Sequence, residues 1–242
     1  MYILWNGVVM LLELAAIAGV AWVGFHFPLY FALGTAAIAL LMGARLEYAR
    51  IQNEIPFYFD RVPGRAMIFA WIVAAGESLV KALLAGVVGL ITFLGTDANR
   101  LQLVAIIFGI TLFLGVQVVR WLTHHLKARP LRWGYFRLAA PLGLLFSVGL
   151  SFLAAPGFSE LARRVTFEMP DRPSMEQASE FLFLLKQTFD DIVERMLTWV
   201  FDPGVAQIIS AVVSVNMLSG FVLSIYAVLI AEAGRRMENW NV

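Results

Sequence analysis

The sequence contains no cysteine among its 242 residues. This absence excludes disulfide bonds, thiolate metal sites, iron–sulfur clusters and a cysteine nucleophile. Histidine is scarce as well, and the adjacent His124 and His125 would point about 100° apart on a helix, so they do not form an i,i+4 metal pair. We therefore expect no metal and no cofactor. A haem, which needs only one or two histidines, is the one cofactor that the sequence leaves open.

Charged residues are also few. They make up 14% of the chain, compared with about a quarter in soluble domains, whereas 60% of the residues are hydrophobic. The net charge of +1 does not suit a nucleic-acid-binding protein, which carries a clustered basic face. Glycine-rich phosphate loops, the zinc-binding H-E-x-x-H motif and the G-x-S-x-G nucleophile elbow are missing. The composition indicates a polytopic membrane protein, and we do not expect an enzyme.

Long apolar runs predict an all-α transmembrane bundle of about six spans. The first run lacks a preceding basic segment and is too long for a signal peptide, so we expect it to be retained. A segment outside the membrane, residues 156–204, separates the fifth span from the sixth. The predicted spans, all in a single transmembrane domain of residues 1–242, are 3–24, 29–44, 67–94, 101–119, 138–155 and 205–231.

Lysine and arginine are distributed unevenly between the connections. Residues 45–65, residues 120–137 and the C-terminal tail together hold eleven of them on one side. The opposite side has Arg100 and five in the long segment 156–204. Basic residues favour the cytoplasmic side of short connections. We therefore predict an integral protein of a bacterial inner (cytoplasmic) membrane with both termini in the cytoplasm.

Ionisable and polar side chains within the spans are the candidate functional residues. Glu77 and Lys81 are spaced i,i+4 in the third span, with the acid first, which favours an ion pair. Glu13 has no partner nearby in the sequence, and Asn216 falls at a similar predicted depth. We expect these four residues to form one polar layer near the bilayer centre, either coupling ions or joining helices.

The third span also carries two small-xxx-small patterns, Ala82-x-x-x-Gly86 and Ala85-x-x-x-Gly89, which predict close helix packing. We expect this span to lie at the centre of the bundle, with neighbours on more than one side.

Two segments outside the spans predict contacts with other molecules. Residues 120–137 alternate basic and aromatic side chains, so Lys127, Arg129, Arg132 and Trp133 are candidates to contact anionic lipid headgroups. An amphipathic helix is predicted from Ser174 to Val200. Its polar face is acidic, whereas helices that lie on membranes favour basic residues, so we expect it to dock on protein. The candidate docking residues are Phe181, Leu185, Phe189 and Ile192.

Three functions fit these features. The first is a membrane-embedded subunit of a transport or translocation assembly that contacts lipid and other membrane subunits. The second is a non-catalytic accessory subunit of a respiratory or photosynthetic complex, in which the polar residues join helices. The third is an enzyme acting on lipid through Asp190, Asp191 or Glu194.

Overall fold

The computed structural model describes residues 2–58, 66–94, 98–153, 201–212 and 214–239, with separate positions between 184 and 199. Its regular elements over these ranges are all helical, which confirms the predicted all-α class. The predicted docking residues Phe181, Leu185, Phe189 and Ile192 lie outside the described residues. The helices are α1 (Tyr2–His26), α2 (Pro28–Tyr58), α3 (Ala66–Thr92), α4 (Ala98–Leu126), α5 (Pro130–Arg137), α6 (Ala139–Leu153), α7 (Pro203–Val212) and α8 (Ser219–Asn239), with a 3₁₀ turn (Val215–Leu218) before α8.

Within the described ranges, five helical segments are long and apolar enough to cross a membrane. They correspond to α1, α2, α3, α4 and the 3₁₀ turn with α8. The predicted fifth span is α6, which has only 15 residues. The backbone N–H of Leu138 donates to Gly134 O and that of Leu142 donates to Leu138 O, so hydrogen bonding continues from α5 into α6. Together these two helices cover residues 130–153 as one nearly continuous helical unit.

The packing of α2 on α3 follows from small residues. A Cβ built on Gly86 would lie 3.1 Å from Ala36 Cβ, and one built on Gly89 would lie 3.6 Å from Ala32 Cα. Small side chains at such positions let two helix backbones approach closely. The close packing predicted for the third span is therefore present, and its main partner is α2.

The central helix of the bundle is α8, so the prediction that the third span is central is wrong. Of the α8 span, 78% is buried inside the protein, compared with 22% of the α3 span. Helix α8 packs against α1, α3, α4, α5 and α6. At its start a Cβ on Gly220 would overlap backbone atoms of Ala139 and Gly143. Backbone contact of this kind lets α6 approach α8 more closely than ordinary side chains allow.

The predicted sixth span, 205–231, is interrupted after Val212, and its transmembrane part is displaced toward the C-terminus. Ser214 caps the 3₁₀ turn, because its Oγ accepts a hydrogen bond from Asn216 N at 3.1 Å. Val215 N donates to Asp190 Oδ1 at 2.8 Å. Side-chain oxygens that bind free backbone N–H groups favour the start of a new helix over continuation of the old one. The span therefore begins at Val215.

Candidate functional site

The first candidate site, the α2–α3 cluster, consists of Glu47, Arg50, Glu54, Glu77 and Lys81. Lys81 Nζ donates to Glu77 Oε2 at 3.3 Å, which is the expected i,i+4 pair, and to Glu47 Oε1 at 2.5 Å. Its ammonium group also lies 4.8 Å from the centre of an aromatic ring, that of Phe136 in α5. Lys81 thus joins α3 to both α2 and α5.

Arg50 extends this cluster toward the surface. Its guanidinium lies 3.1 Å from Glu47, 2.7 Å from Glu54 and 3.7 Å from Glu77. The side chain of Glu47 is 3% exposed, whereas those of Arg50 and Glu77 are 50% and 37% exposed. Three carboxylates therefore face two cations, and one side of the cluster lies on the outer surface of the helix pair.

Glu47 and Arg50 are three residues apart, a spacing that predicts only a pair on the surface of one helix, so the contact of Glu47 with Lys81 was missed. A signal for its burial is present in the sequence. Ala39, Gly43, Glu47, Ile51 and Ile55 recur every four residues, and such a spacing places side chains on one face of a helix. Ala39, Ile51 and Ile55 are all buried. The carboxylate therefore lies within the stripe of α2 that packs against α3.

The second candidate site, the Arg120 cluster, joins α1, α4 and α8. Arg120 Nη1 donates to Glu13 Oε2 at 2.6 Å, and Nη2 donates to Glu238 Oε1. Glu13 is buried at 5% exposure. Trp5 Nε1 donates to Met237 O at 3.1 Å, so the first and last described helices meet at this end of the bundle. We refer to it below as the Arg120 end.

Glu13, which has no partner nearby in the sequence, pairs with Arg120 across the bundle. Its partner was assigned to a connection, but α4 continues to Leu126 and α8 to Asn239, so Arg120 and Glu238 are both carried on helices. The carboxylate also packs against Gly234, where an added Cβ would overlap Glu13 Oε1. This Oε1 accepts no hydrogen bond from the described residues.

Asn216 does not belong to a layer with Glu13. It lies in the 3₁₀ turn before α8, whereas Glu13 packs on Gly234 near the other end of that helix. These positions are 18 residues apart, or about 27 Å at about 1.5 Å per residue. Lys81 is at an intermediate height, because Thr92, eleven residues later on α3, bonds through Oγ1 to Ser219 Oγ. The prediction that Asn216 lies in one polar layer with Glu13 is therefore wrong.

A pocket of about 870 Å³ opens at the Arg120 end between α1, α4, α8 and the residues that follow α4. Lys127 and Arg129 line it, and Arg132 does not. The backbone of Trp133 lies in α5, and its side chain is outside the described residues. The pocket is lined by Trp5, Asn6, Met10, Gln117, Arg120, Trp121, Thr123, His124, Lys127, Ala128, Arg129, Ala231, Arg235 and Glu238.

Of the carboxylates considered for catalysis, that of Asp190 has a structural contact, because its Oδ1 accepts a hydrogen bond from Val215 N. Within the ranges that the structure covers, no group of three or more His, Asp or Glu side chains could hold a metal ion.

These features define an all-α helical bundle whose long apolar helices are those of an integral membrane protein. Comparison with protein-family models, with curated proteins and with solved structures gives no match.

Proposed function

We propose that this protein is a membrane-embedded subunit of a transport or translocation assembly, in which the α2–α3 cluster couples to an ion at an interface with another subunit. The observation that supports it is a half-exposed group of charges within a membrane span. Glu77 is ten residues after Met67, where the candidate span begins. This distance is about 15 Å, half of a hydrocarbon core of roughly 30 Å.

Lipid does not solvate such a group. A charged side chain at the bilayer centre costs about 2.5–3.5 kcal/mol on insertion scales. Glu77 and Arg50 are partly exposed on the outside of the helix pair. They are compatible with a membrane only if water or another protein covers them. If water covers these side chains, the cluster lies on an aqueous path. If another protein covers them, it lies at a contact between subunits, and the proposal is consistent with both.

The charge balance of the cluster favours ion coupling over a purely structural role. Glu47, Glu54 and Glu77 outnumber Arg50 and Lys81 by one negative charge. An excess carboxylate in a poorly solvated site tends to bind a proton or another cation. The cluster can therefore exchange a cation without losing all its ion pairs.

The test is ion flux through the intact assembly. The protein is purified with its partners in a mild detergent and reconstituted into vesicles containing a pH-sensitive dye, with a potassium diffusion potential as the driving force. Glu77→Gln should abolish proton flux while the co-purifying subunits remain. Asn53→Ser, an exposed change on α2 outside the cluster, is the matched control. Wild-type flux in Glu77→Gln would contradict the proposal.

A second candidate function is a non-catalytic accessory subunit of a respiratory or photosynthetic complex. It is favoured by the Arg120 cluster, in which one guanidinium holds three helices together through two carboxylates. Such a contact fixes the positions of the helices relative to one another, as a structural role requires. Affinity purification in gentle detergent followed by mass spectrometry distinguishes the two candidates. Redox subunits among the partners would favour the accessory role, and a pump or translocase would favour transport.

A further inference from the structure

The pocket at the Arg120 end contains positive charge that the ion pairs of the bundle do not neutralise. Four basic side chains line it, together with one carboxylate. Arg120 binds Glu13 on α1 and Glu238 on α8, and Arg235 binds Glu232 three residues earlier on α8. Lys127 and Arg129 have no carboxylate partner in the part of the chain that the structure describes. These two side chains are therefore available to an anion that enters the pocket.

The backbone at Lys127 supports the same conclusion. Its φ of 50° lies in the left-handed region, and no other non-glycine residue in the described ranges has a positive φ. Glycine is the usual residue at such a helix end, because a side chain there is strained. The turn that Lys127 makes brings Lys127, Ala128 and Arg129 to the pocket wall. Strained backbone positions of this kind cluster at ligand-binding sites.

The apolar surface next to the pocket indicates that the anion also has an apolar part. On α1, Met10 lines the pocket, and Leu14, one turn deeper, is exposed. On α4, Gln117 lines the pocket, and Leu114 and Ile110 are exposed on the same helix face toward the interior of the span. Residues spaced by three, four and seven form one stripe of a helix. Two apolar stripes therefore lead from the pocket into the membrane.

We propose that this pocket binds the phosphate group of an anionic phospholipid, with Lys127 and Arg129 as its ligands and the acyl chains along the stripes of α1 and α4. Trp5 and Trp121 line the pocket, and tryptophan is favoured at the headgroup level. This is a specific site between helices, and it goes beyond the proposed function. It also differs from a general basic belt, because Arg132, in the same connection, lies outside it.

Two variants test the ligands without disturbing the fold. Lys127→Gly removes the side chain and suits the left-handed backbone, so it relieves strain. Arg129→Gln removes the second charge and keeps the length of the side chain. Arg132→Gln is the matched control, since it makes the same change of charge at an exposed position outside the pocket.

The full-length protein in mild detergent is titrated with dioleoyl phosphatidylglycerol, dioleoyl phosphatidylcholine or glycerol phosphate, and the bound molecules are counted by native mass spectrometry. We expect saturable binding of one phosphatidylglycerol, weaker binding of phosphatidylcholine, and little binding of glycerol phosphate. Lys127→Gly and Arg129→Gln should each weaken phosphatidylglycerol binding about fivefold, and Arg132→Gln should leave it unchanged.

Three outcomes would overturn the proposal. If Arg132→Gln weakens binding as much as Lys127→Gly, the lipid contacts a diffuse basic surface. If glycerol phosphate binds as tightly as the lipid, the apolar stripes take no part and the ligand is a free phosphate ester. If Lys127→Gly and Arg129→Gln both bind phosphatidylglycerol like the wild type, the pocket is not the site.

Discussion

The contact between α6 and α8 gives the sharpest prediction about stability. Replacement of Gly220 by alanine adds one methyl group at the point where these helices touch. That Cβ would lie closer than 3.0 Å to Ala139 O and to backbone atoms of Gly143, a separation that real Cβ atoms essentially never show. Because the obstructing atoms are backbone, no side chain can rotate away. The two helices must therefore move apart.

The size of the effect follows from the geometry. Non-bonded carbon atoms prefer separations of about 3.5–4.0 Å, so relief requires a movement of about 1 Å or more along the contact. Overpacking usually costs about 1–3 kcal/mol. A clash of the added Cβ with backbone atoms belongs at the upper end of that range. For a chain of this size a loss of about 3 kcal/mol lowers the melting temperature by about 6–12 °C.

The assay is thermal unfolding in mild detergent, followed as loss of the monodisperse peak in size-exclusion chromatography. Gly19→Ala on α1 is the control, because a Cβ there meets nothing within 4 Å. Alanine in place of glycine in a helix is ordinarily favourable by about 0.4–1 kcal/mol, so this variant should be at least as stable as the wild type. If Gly220→Ala has the same melting temperature as Gly19→Ala and the wild type, the packing of α6 on α8 is refuted.

The ion pairs and the cap give three further predictions, each measured by the same thermal assay. Arg120→Met should destabilise the protein by about 3–5 kcal/mol, because it leaves Glu13 buried without its counter-ion. The double variant that combines Arg120→Met with Glu13→Gln should recover much of this lost stability. A double variant no more stable than Arg120→Met alone would contradict the pairing. Lys81→Met should be destabilising for the same reason, and Glu47→Gln should partly rescue it. Ser214→Ala should cost about 1 kcal/mol, because Asn216 N loses its acceptor, and an unchanged melting temperature would exclude this cap.

Composition and periodicity were enough to predict the class and most of the helices. Apolar length predicts a span because a lipid-exposed backbone must form its own hydrogen bonds. The same criterion fails where a span ends in polar residues that remain helical. The predicted limits at Ala44 and Val119 are too early by about four turns and about two turns, because α2 and α4 continue to Tyr58 and Leu126. The charged residues beyond these limits were therefore assigned to connections.

The partners of the ionisable residues depend on tertiary packing, which local spacing does not determine. The Glu77–Lys81 pair could be predicted because both residues lie on one helix. Glu13 and Arg120 are 107 residues apart in the chain, so their contact depends on how α1 and α4 pack. The break before α8 was missed for a related reason, because Ser214 and Asp190 supply acceptors that an apolar pattern does not reveal.

The two ionisable sites have opposite charge balances, and this difference bears on what each can bind. The α2–α3 cluster has one more carboxylate than cations. The pocket beside the Arg120 cluster has four basic residues and one acid in its lining. A net chain charge of +1 therefore conceals an excess of negative charge in the cluster on α2 and α3 and an excess of positive charge in the pocket lining among α1, α4 and α8. Because the sites share no side chain in the described ranges, a change in one should leave the other intact. Glu77→Gln should thus retain phosphatidylglycerol binding, and Lys127→Gly should retain proton flux.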